Sequence, residues 1–127
     1  MSQVVLDTSA ILALIQQEKG ADIVLLLTRE AIVSAVNAAE VLTKMVRDGV
    51  PLYKARIALH SCVQSIVSFD TEQCESTAAL IQQTKPHGLS LGDRACLALG
   101  LAAQCPVYTA DRSWAELQVG VDIHLVR

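Results

Sequence analysis

The fold of this chain is indicated most clearly by residues 90–111, which read SLGDRACLALGLAAQCPVYTAD. Ser90 is a typical helix N-cap, and Asp93, three residues later, stands in the position of a capping-box acid. The apolar residues that follow predict a helix that continues to about Gln104. The first part of this stretch is therefore expected to be a helix with an acidic residue in its first turn.

A short strand is predicted directly after this helix. Pro106 separates the two elements, and Val107–Thr109 favours extended structure because it contains β-branched and aromatic residues. Asp111 lies just beyond this strand. The start of the chain has the same arrangement, since residues 3–6 predict a strand that ends at Asp7. Two predicted strands thus end next to an acid.

The rest of the chain continues the alternation of helices and strands. Helices are predicted at residues 9–17, 22–29, 36–48, 51–60 and 71–83, strands at 31–33, 65–69 and 122–126, and one or two helical turns at 113–117. This alternation predicts an α/β fold, with a central, mainly parallel sheet of about five strands and helices on both faces. No linker or repeat divides the sequence, so residues 1–127 are expected to form a single domain.

Composition points to a globular domain in a reducing compartment. Apolar residues make up 52% of the chain, which argues against disorder. No apolar run reaches the roughly 18 residues of a membrane span, and the first ten residues lack a signal-peptide pattern. The four cysteines have no CxxC spacing, so we expect reduced thiols and a cytoplasmic location without membrane association.

Charge and hydropathy bear on the partners of the chain. The net charge of −3 is unusual for a nucleic-acid-binding domain, because such domains are commonly basic. The mean hydropathy of +0.40 is high, which suggests apolar surface that a partner or a second copy of the chain covers. If the chain forms a homodimer, we expect an interface drawn from the helices in residues 36–60.

Four acids are candidates for one active site. Asp7 and Asp111 follow strands, Asp93 lies in a first helical turn, and Glu40 lies in a helix among small and apolar residues. Ligands of parallel sheets bind beyond the carboxyl ends of the strands, where these acids can meet. Asn37 shares the helix face of Glu40 and is a candidate to assist it. Each acid also has a structural alternative, as a helix cap, a turn residue or a solvated helix residue.

A cluster of this kind predicts a metal site. Carboxylates that share a pocket repel one another unless a cation is present. Because no histidine or cysteine accompanies the four acids, the donors would all be oxygens, which favours Mg²⁺ or Mn²⁺ over zinc. Such cations activate water and stabilise phosphoryl displacement, so the chemistry that follows is phosphodiester hydrolysis.

Four motifs resemble those of PIN domains, and they occur in the family's order. They are VVLDTSA at residues 4–10, NAAEV at 37–41, LSLGDRACLA at 89–98 and VYTADRSW at 107–114. A chain of this length is similar to the VapC toxins of type II toxin–antitoxin modules. The resemblance implies an endoribonuclease that depends on Mg²⁺ or Mn²⁺, is usually a homodimer, and is kept inactive by a cognate antitoxin.

The resemblance also implies roles for individual residues. The metal-binding and catalytic acids would be the four already singled out: Asp7, Glu40, Asp93 and Asp111. The hydroxyl groups of Thr8 and Thr109 match positions that assist near the pocket. The match spans essentially the whole chain, and the third and fourth motifs are its most specific part.

Basic residues near the four acids are candidates to contact RNA. Lys44 and Arg47 lie beyond Glu40 on the same predicted helix, and Arg94 and Arg112 each follow one of the acids directly. Phosphate contacts dominate affinity for nucleic acids, so local basic patches could serve an acidic chain. The alternative is that each is an ordinary surface charge.

Other families of this size fit less well. A receiver domain needs an acidic pair near the end of its first strand and a lysine late in the sheet, but no lysine follows Lys85. A haloacid-dehalogenase-like phosphatase needs a DxD motif, whereas Asp7 is followed by Thr8 and Ser9. A catalytically inactive PIN interaction module stays open as the alternative function, although the presence of all four acids argues against it.

Overall fold

The computed structural model describes residues 2–127, in which strands and helices alternate. The strands are β1 (Val4–Leu6), β2 (Ala31–Ser34), β3 (Ser65–Val67), β4 (Val107–Thr109) and β5 (Ile123–Leu125). The helices are α1 (Thr8–Ile15), α2 (Ala21–Leu25), α3 (Ala35–Arg47), α4 (Leu52–Cys62), α5 (Thr71–Ala79), α6 (Ile81–Thr84) and α7 (Leu91–Ala103), with 3₁₀ turns at Lys85–His87 and Arg112–Glu116. In residues 2–127, no helix combines the length and the apolar character that a bilayer crossing requires.

The five strands form one sheet in the order β3-β2-β1-β4-β5, and every neighbouring pair is parallel. β1 lies at the centre, between β2, which is the next strand in the chain, and β4, which comes much later. The strand order therefore reverses at β1, and the carboxyl ends of β1 and β4 lie side by side, with Leu6 paired to Tyr108. Ligands of such sheets bind at this reversal.

Both faces of the sheet are buried under helices, which confirms the predicted fold class. Side chains alternate along each strand. Val4 and Leu6 of β1 pack in the core formed with α1 to α4, whereas Val5 packs in a second core with α7 and Trp114. Burial on two faces explains why the central strands β1 and β2 are almost entirely apolar instead of alternating with polar residues, whereas the edge strands β3 and β5 each include an exposed polar residue.

The packing of α7 places its N-terminus at the reversal point. α7 lies so close to β4 that a Cβ atom added to Gly100 would lie 2.6 Å from Cγ2 of Val107. The helix is joined by a short turn to the amino end of β4, so its first turn lies at the opposite edge of the sheet. Asp93 in that turn thus approaches the carboxyl ends of β1 and β4.

Two predicted helices differ from those observed. Residues 22–29 were expected to be helical, but α2 ends at Leu25. The chain then continues in turns in which an N–H donates to the carbonyl three residues earlier, as Leu27 N does to Val24 O. These tighter turns lead the chain into β2. The helix expected at residues 71–83 is interrupted at Leu80, which is buried in the core beside α7.

Candidate active site

The four candidate acids line one groove at the carboxyl edge of the sheet. The groove has a volume of about 810 Å³, and Asp7, Glu40, Asp93 and Asp111 all contribute to its wall. They come from the loop after β1, from α3, from α7 and from the loop after β4. The structure therefore brings together, from distant parts of the chain, the four residues that the sequence singled out.

Asp7 is the most buried of these acids, with 3% of its surface exposed. It is the N-cap of α1 and accepts hydrogen bonds from Ala10 N (2.8 Å), from the Ser9 hydroxyl (2.8 and 2.9 Å to its two oxygens) and from the Thr109 hydroxyl (2.5 Å). A carboxylate offers about four lone-pair positions. Each oxygen of Asp7 thus has two contacts with donor groups of the protein, and the Ser9 hydroxyl shares its single proton between the two oxygens.

The charge of Asp7 is unfavourable in this position. Burial raises its pKa from 3.8 to about 6, although the hydrogen bonds from Thr109, Ala10 and Ser9 oppose the rise. The negative charge of Asp93 raises the pKa of Asp7 further. Desolvation and a neighbouring charge both disfavour the ionised form, and a bound cation would remove much of this penalty.

Two hydroxyl groups connect the loops after β1 and β4. Ser9 Oγ accepts a hydrogen bond from Ala110 N (2.9 Å), and Thr109 Oγ1 accepts one from Asp111 N (3.0 Å). Because both hydroxyls also donate to Asp7, they hold its carboxylate in a fixed relation to the loop after β4. Thr109 is thus in contact with a candidate acid.

Asp93 and Asp111 each serve as a local cap and face the groove. Asp93 forms a capping box with Ser90 at the start of α7, and its Oδ2 accepts from Ser90 N (3.0 Å). Burial, opposed by the capping bonds, raises the pKa of Asp93, and the charges of Asp111 and Glu40 add to the rise. Asp111 is exposed, and its Oδ1 accepts from N (2.9 Å) and Oγ (2.7 Å) of Ser113.

Glu40 is exposed but anchored through one of its oxygens. Its Oε1 accepts hydrogen bonds from the Thr8 hydroxyl (2.6 Å) and from Nδ2 of Asn37 (2.9 Å). Nδ2 of Asn37 also donates to the carbonyl oxygen of Gly92 in α7 (3.0 Å). Thr8 and Asn37 are therefore both in contact with a candidate acid, and Asn37 ties that acid to the first turn of α7.

The groove also has a basic end. Lys44 and Arg47, which lie one and two turns beyond Glu40 on α3, line the same groove. Lys44 forms an ion pair with Asp48 at 2.5 Å, on a part of the surface where both side chains are accessible to solvent. One groove thus has acids at one end and cations at the other.

The structure does not bring Arg94 and Arg112 into the groove. The guanidinium Nη1 of Arg94 donates to the carbonyl oxygen of Thr77 (2.8 Å), so this side chain joins α7 to α5. Arg112 is exposed at the start of a 3₁₀ turn and does not line the groove. The expectation that both arginines lie beside the acids considered only sequence distance, and a helix or turn can direct the next side chain elsewhere.

Sequence reasoning gave no role to Ser9 or Gly92. Ser9 contacts both oxygens of Asp7, and a polar residue two positions after a strand-end acid is the signal that could have identified it. Gly92 provides the carbonyl group that Asn37 binds, and its Cα lies against the carboxylate of Glu40. No sequence pattern reveals that contact, because it joins two distant helices.

The sequence of the chain matches one known protein family. A family model described as the PIN domain matches residues 4–119, which include all four acids. No curated protein matches the chain in sequence.

Solved structures resemble the chain over nearly its full length. It is similar to a toxin–antitoxin complex from Klebsiella pneumoniae, with a TM-score of 0.79 and 19% identity over 98% of both chains. It is also similar to DNA-bound VapBC from Salmonella typhimurium, with a TM-score of 0.77 and 15% identity over 100% of both chains. VapC20 from Mycobacterium tuberculosis, described as a toxin that cleaves the sarcin–ricin loop, matches with a TM-score of 0.72 and 16% identity over 91% of this chain and 97% of that one. At these identities, the likeness shows the fold.

Proposed function

The chain belongs to the PIN domain family, and on this premise we propose that it is a metal-dependent endoribonuclease of the VapC toxin type. The observation that carries the proposal is the convergence of four carboxylates on one open groove. The similar VapC20 is described as cleaving the sarcin–ricin loop, which supports RNA as the class of substrate.

The residues of the groove fit Mg²⁺ or Mn²⁺. Among residues 2–127, no three histidine, cysteine or acidic side chains lie close enough together to hold a cation as they stand, so the acids would have to move closer to one another to bind one. Glu40 Oε2, Asp93 Oδ1 and Asp111 Oδ2 accept no hydrogen bond within these residues. Mg²⁺ keeps several of its waters and needs few carboxylates, which suits oxygens that surround a groove without closing on it.

The chain's own residues would orient the reaction. When bound, the cation would supply an acidified water and neutralise charge on the phosphodiester. Asp7 would contribute a carboxylate oxygen, while Ser9 and Thr109 keep that carboxylate in place. Glu40, Asp93 and Asp111 would complete the set of oxygen ligands.

The basic end of the groove would receive the RNA backbone. Lys44 and Arg47 lie in the groove that leads to the acids, so an RNA strand could reach from one end to the other. Exposed ion pairs contribute little to stability, so a phosphate could replace Asp48 as the partner of Lys44. Such local placement of cations would reconcile RNA binding with a net charge of −3.

We propose that a cognate antitoxin protein regulates this activity and that the enzyme acts in the cytoplasm. The similar structures from Klebsiella and Salmonella are described as a toxin–antitoxin complex and as VapBC, which supports an antitoxin partner. All four cysteines are free thiols, as expected in a reducing compartment where RNA is available.

We also propose a homodimer, whose interface would use the helices in residues 36–60. Four apolar side chains in this part of the chain are exposed: Val46, Leu52, Tyr53 and Ile57. Burial of such a surface would drive association. Light scattering at micromolar concentration should show a dimer, and Ile57→Glu should shift the equilibrium toward monomer. A wild-type protein that is only monomeric would contradict this prediction.

The activity is tested with purified protein from which any antitoxin has been removed. Total cellular RNA is incubated with the protein in Mg²⁺, in Mn²⁺ and in EDTA, and cut sites are mapped by sequencing of RNA ends. We expect cleavage only with a divalent cation, and no cleavage by Asp111→Asn. Asp122→Asn is the matched control, because Asp122 is an exposed acid outside the groove.

The experiment separates the enzyme from the inactive interaction module. Cleavage in EDTA, or equal cleavage by wild type and Asp111→Asn, would contradict the proposed site. No cleavage of any cellular RNA would favour the interaction module instead.

A further inference from the structure

We propose that Gly92 is a positioning residue, whose missing side chain leaves the space in which the carboxylate of Glu40 lies against α7. The assignment concerns the geometry of one acid, and its link to catalysis rests on the proposed function. Gly92 is the second residue of α7 and is buried.

While the Glu40 side chain keeps this position, Gly92 lies too close to it for any other amino acid at position 92. A Cβ atom there would lie 2.6 Å from Oε1 and 2.7 Å from Cδ of Glu40, and would also collide with Oε2. Separations of this size lie well inside the normal contact distance of about 3.5 Å or more. The Glu40 carboxylate therefore occupies the place that a side chain on residue 92 would take.

The backbone gives no other reason for a glycine at this position. Gly92 does not have the positive φ angle that Gly20, Gly49, Gly88 and Gly120 adopt. Within a helix, glycine is less favourable than alanine. A residue that weakens its helix without relieving backbone strain is best explained by the space it leaves.

Substitution at this position should displace the acid and leave the fold intact. The obstacle to a Cβ atom is the end of a flexible side chain, which can rotate away, and not backbone. Rotation would break the hydrogen bonds from Thr8 and Asn37 to Oε1. Asn37 is only 1% exposed, so its amide could not easily replace this partner with water.

The first test is a double-mutant cycle with Gly92→Ala and Glu40→Ala, measured by thermal melting without metal. In the Glu40→Ala background, Gly92→Ala should raise Tm because alanine favours the helix and nothing obstructs it. In wild type the same change should give a smaller gain or a loss. Equal shifts of Tm in both backgrounds would overturn the proposal.

The second test is Mn²⁺ affinity, measured by titration of the same variants. Gly92→Ala should bind Mn²⁺ about tenfold or more weakly than wild type, as in other cases where a ligand loses its support. It should have no further effect in Glu40→Ala. Leu91→Ala, in the same turn with an exposed side chain, should bind as wild type does. Wild-type Mn²⁺ affinity in Gly92→Ala would overturn the proposal.

A readout without metal or RNA separates this proposal from the proposed function. In wild type, the side-chain amide of Asn37 should be protected from hydrogen exchange by its bonds to Glu40 and to the carbonyl of Gly92, and NMR should show that Gly92→Ala loses the part of this protection that Glu40 gives. If the protein cuts no RNA, but Gly92→Ala loses the Asn37 protection and the melting shifts are coupled, only the proposed function is contradicted. A protein that cuts RNA but shows neither would contradict only the role of Gly92.

Discussion

The floor of the acidic groove, formed by Asp7, is held differently from its rim, formed by Glu40 and Asp111. Asp7 is 3% exposed and receives three donors from the protein, whereas the rim acids are exposed and anchored through one oxygen each. The floor is therefore fixed by the fold, at a cost in stability that burial of its charge imposes. The charges of the rim acids cost less in stability because they are exposed to solvent, and we expect these side chains to adjust their positions when a ligand binds.

The largest expected effect is the loss of cleavage when the floor acid is neutralised. Asp7→Asn is nearly isosteric but removes one negative charge from the groove, so cleavage should fall at least a thousandfold. Metal-free stability at pH 7.5 should stay the same or rise, because the amide carries no buried charge. Cleavage assays and thermal melting of mutant and wild type, side by side, measure both effects.

This result would distinguish a functional floor from a structural cap. Asn caps helices about as well as Asp, so a purely structural Asp7 would predict full activity and a small loss of stability. Asp122→Asn, which changes an exposed acid outside the groove, should alter neither quantity. Full metal-dependent activity in Asp7→Asn would show that the buried acid at the floor has no catalytic role that sets it apart from the rim acids.

The second prediction concerns the pH dependence of stability without metal. The pKa of Asp7 is about 6 in the folded protein and 3.8 ordinarily, so the unfolded chain releases this proton first as pH rises. Stability should therefore fall by about 2 kcal/mol between pH 4 and pH 6, and by roughly 0.4 kcal/mol more up to pH 7.5. The raised pKa of Asp93 acts in the same direction.

Urea unfolding in EDTA at several pH values measures this loss. In Asp7→Asn, the fall in stability with rising pH should be much smaller than in wild type. The stability of the mutant minus that of wild type should therefore be larger at pH 7.5 than at pH 4. A wild-type protein that becomes more stable between pH 4 and pH 6 would show that Asp7 is not a strained, buried charge.

The fold could be predicted from sequence because local signals agree with the final structure. Ser90 does cap α7, Asp7 does follow β1, and the apolar strands are buried on both faces, so the fold class is confirmed. The helix expected at residues 71–83 was wrong at Leu80, where burial beside α7 overrides local propensity.

The site could be predicted only in part. The four acids were identifiable because parallel strands place their carboxyl ends together, and the structure does bring them to one groove. The direction of the Arg94 side chain and the contact of Gly92 with Glu40 depend on how separate helices pack. Such contacts leave no periodic pattern in the sequence. The catalytic roles themselves stay a prediction.

A third prediction tests whether the hydroxyl groups support the floor. Thr109→Val keeps the shape of a fully buried side chain but removes the donor to Asp7 and the acceptor of Asp111 N. The pKa of Asp7 should rise further, so cleavage should shift to higher pH, with a loss of about 1–2 kcal/mol in stability. The pH profile of cleavage and urea unfolding measure these changes.

Thr77→Val is the matched control for that substitution. Thr77 is equally buried, and its hydroxyl has no hydrogen-bond partner within residues 2–127, so the change should affect neither the pH profile nor stability by much. If Thr109→Val behaved like Thr77→Val, the hydroxyl would not be a support of Asp7.

The smallest expected effects lie at the basic end, where neither floor nor rim is altered. Lys44→Ala and Arg47→Ala should each weaken RNA binding about fivefold, or roughly 1 kcal/mol, because exposed ionic contacts are weak. Each should also lower the slope of log affinity against log salt by about one. Binding is measured in the Asp7→Asn background, so that no strand is cut during the titration.

The salt slope decides what these two cations do. Lys19→Ala and Arg29→Ala remove the same charges from exposed positions outside the groove, so they should change affinity little. If a substitution removes one phosphate contact in the groove, RNA binding releases fewer counterions and the salt slope falls. If only the net charge of the protein mattered, the four substitutions would change the slope equally. If all four variants gave the same slope of log affinity against log salt, RNA would not bind along α3 between the basic end and the acids. If only Lys44→Ala and Arg47→Ala lowered it, the acidic and basic ends would form one binding path.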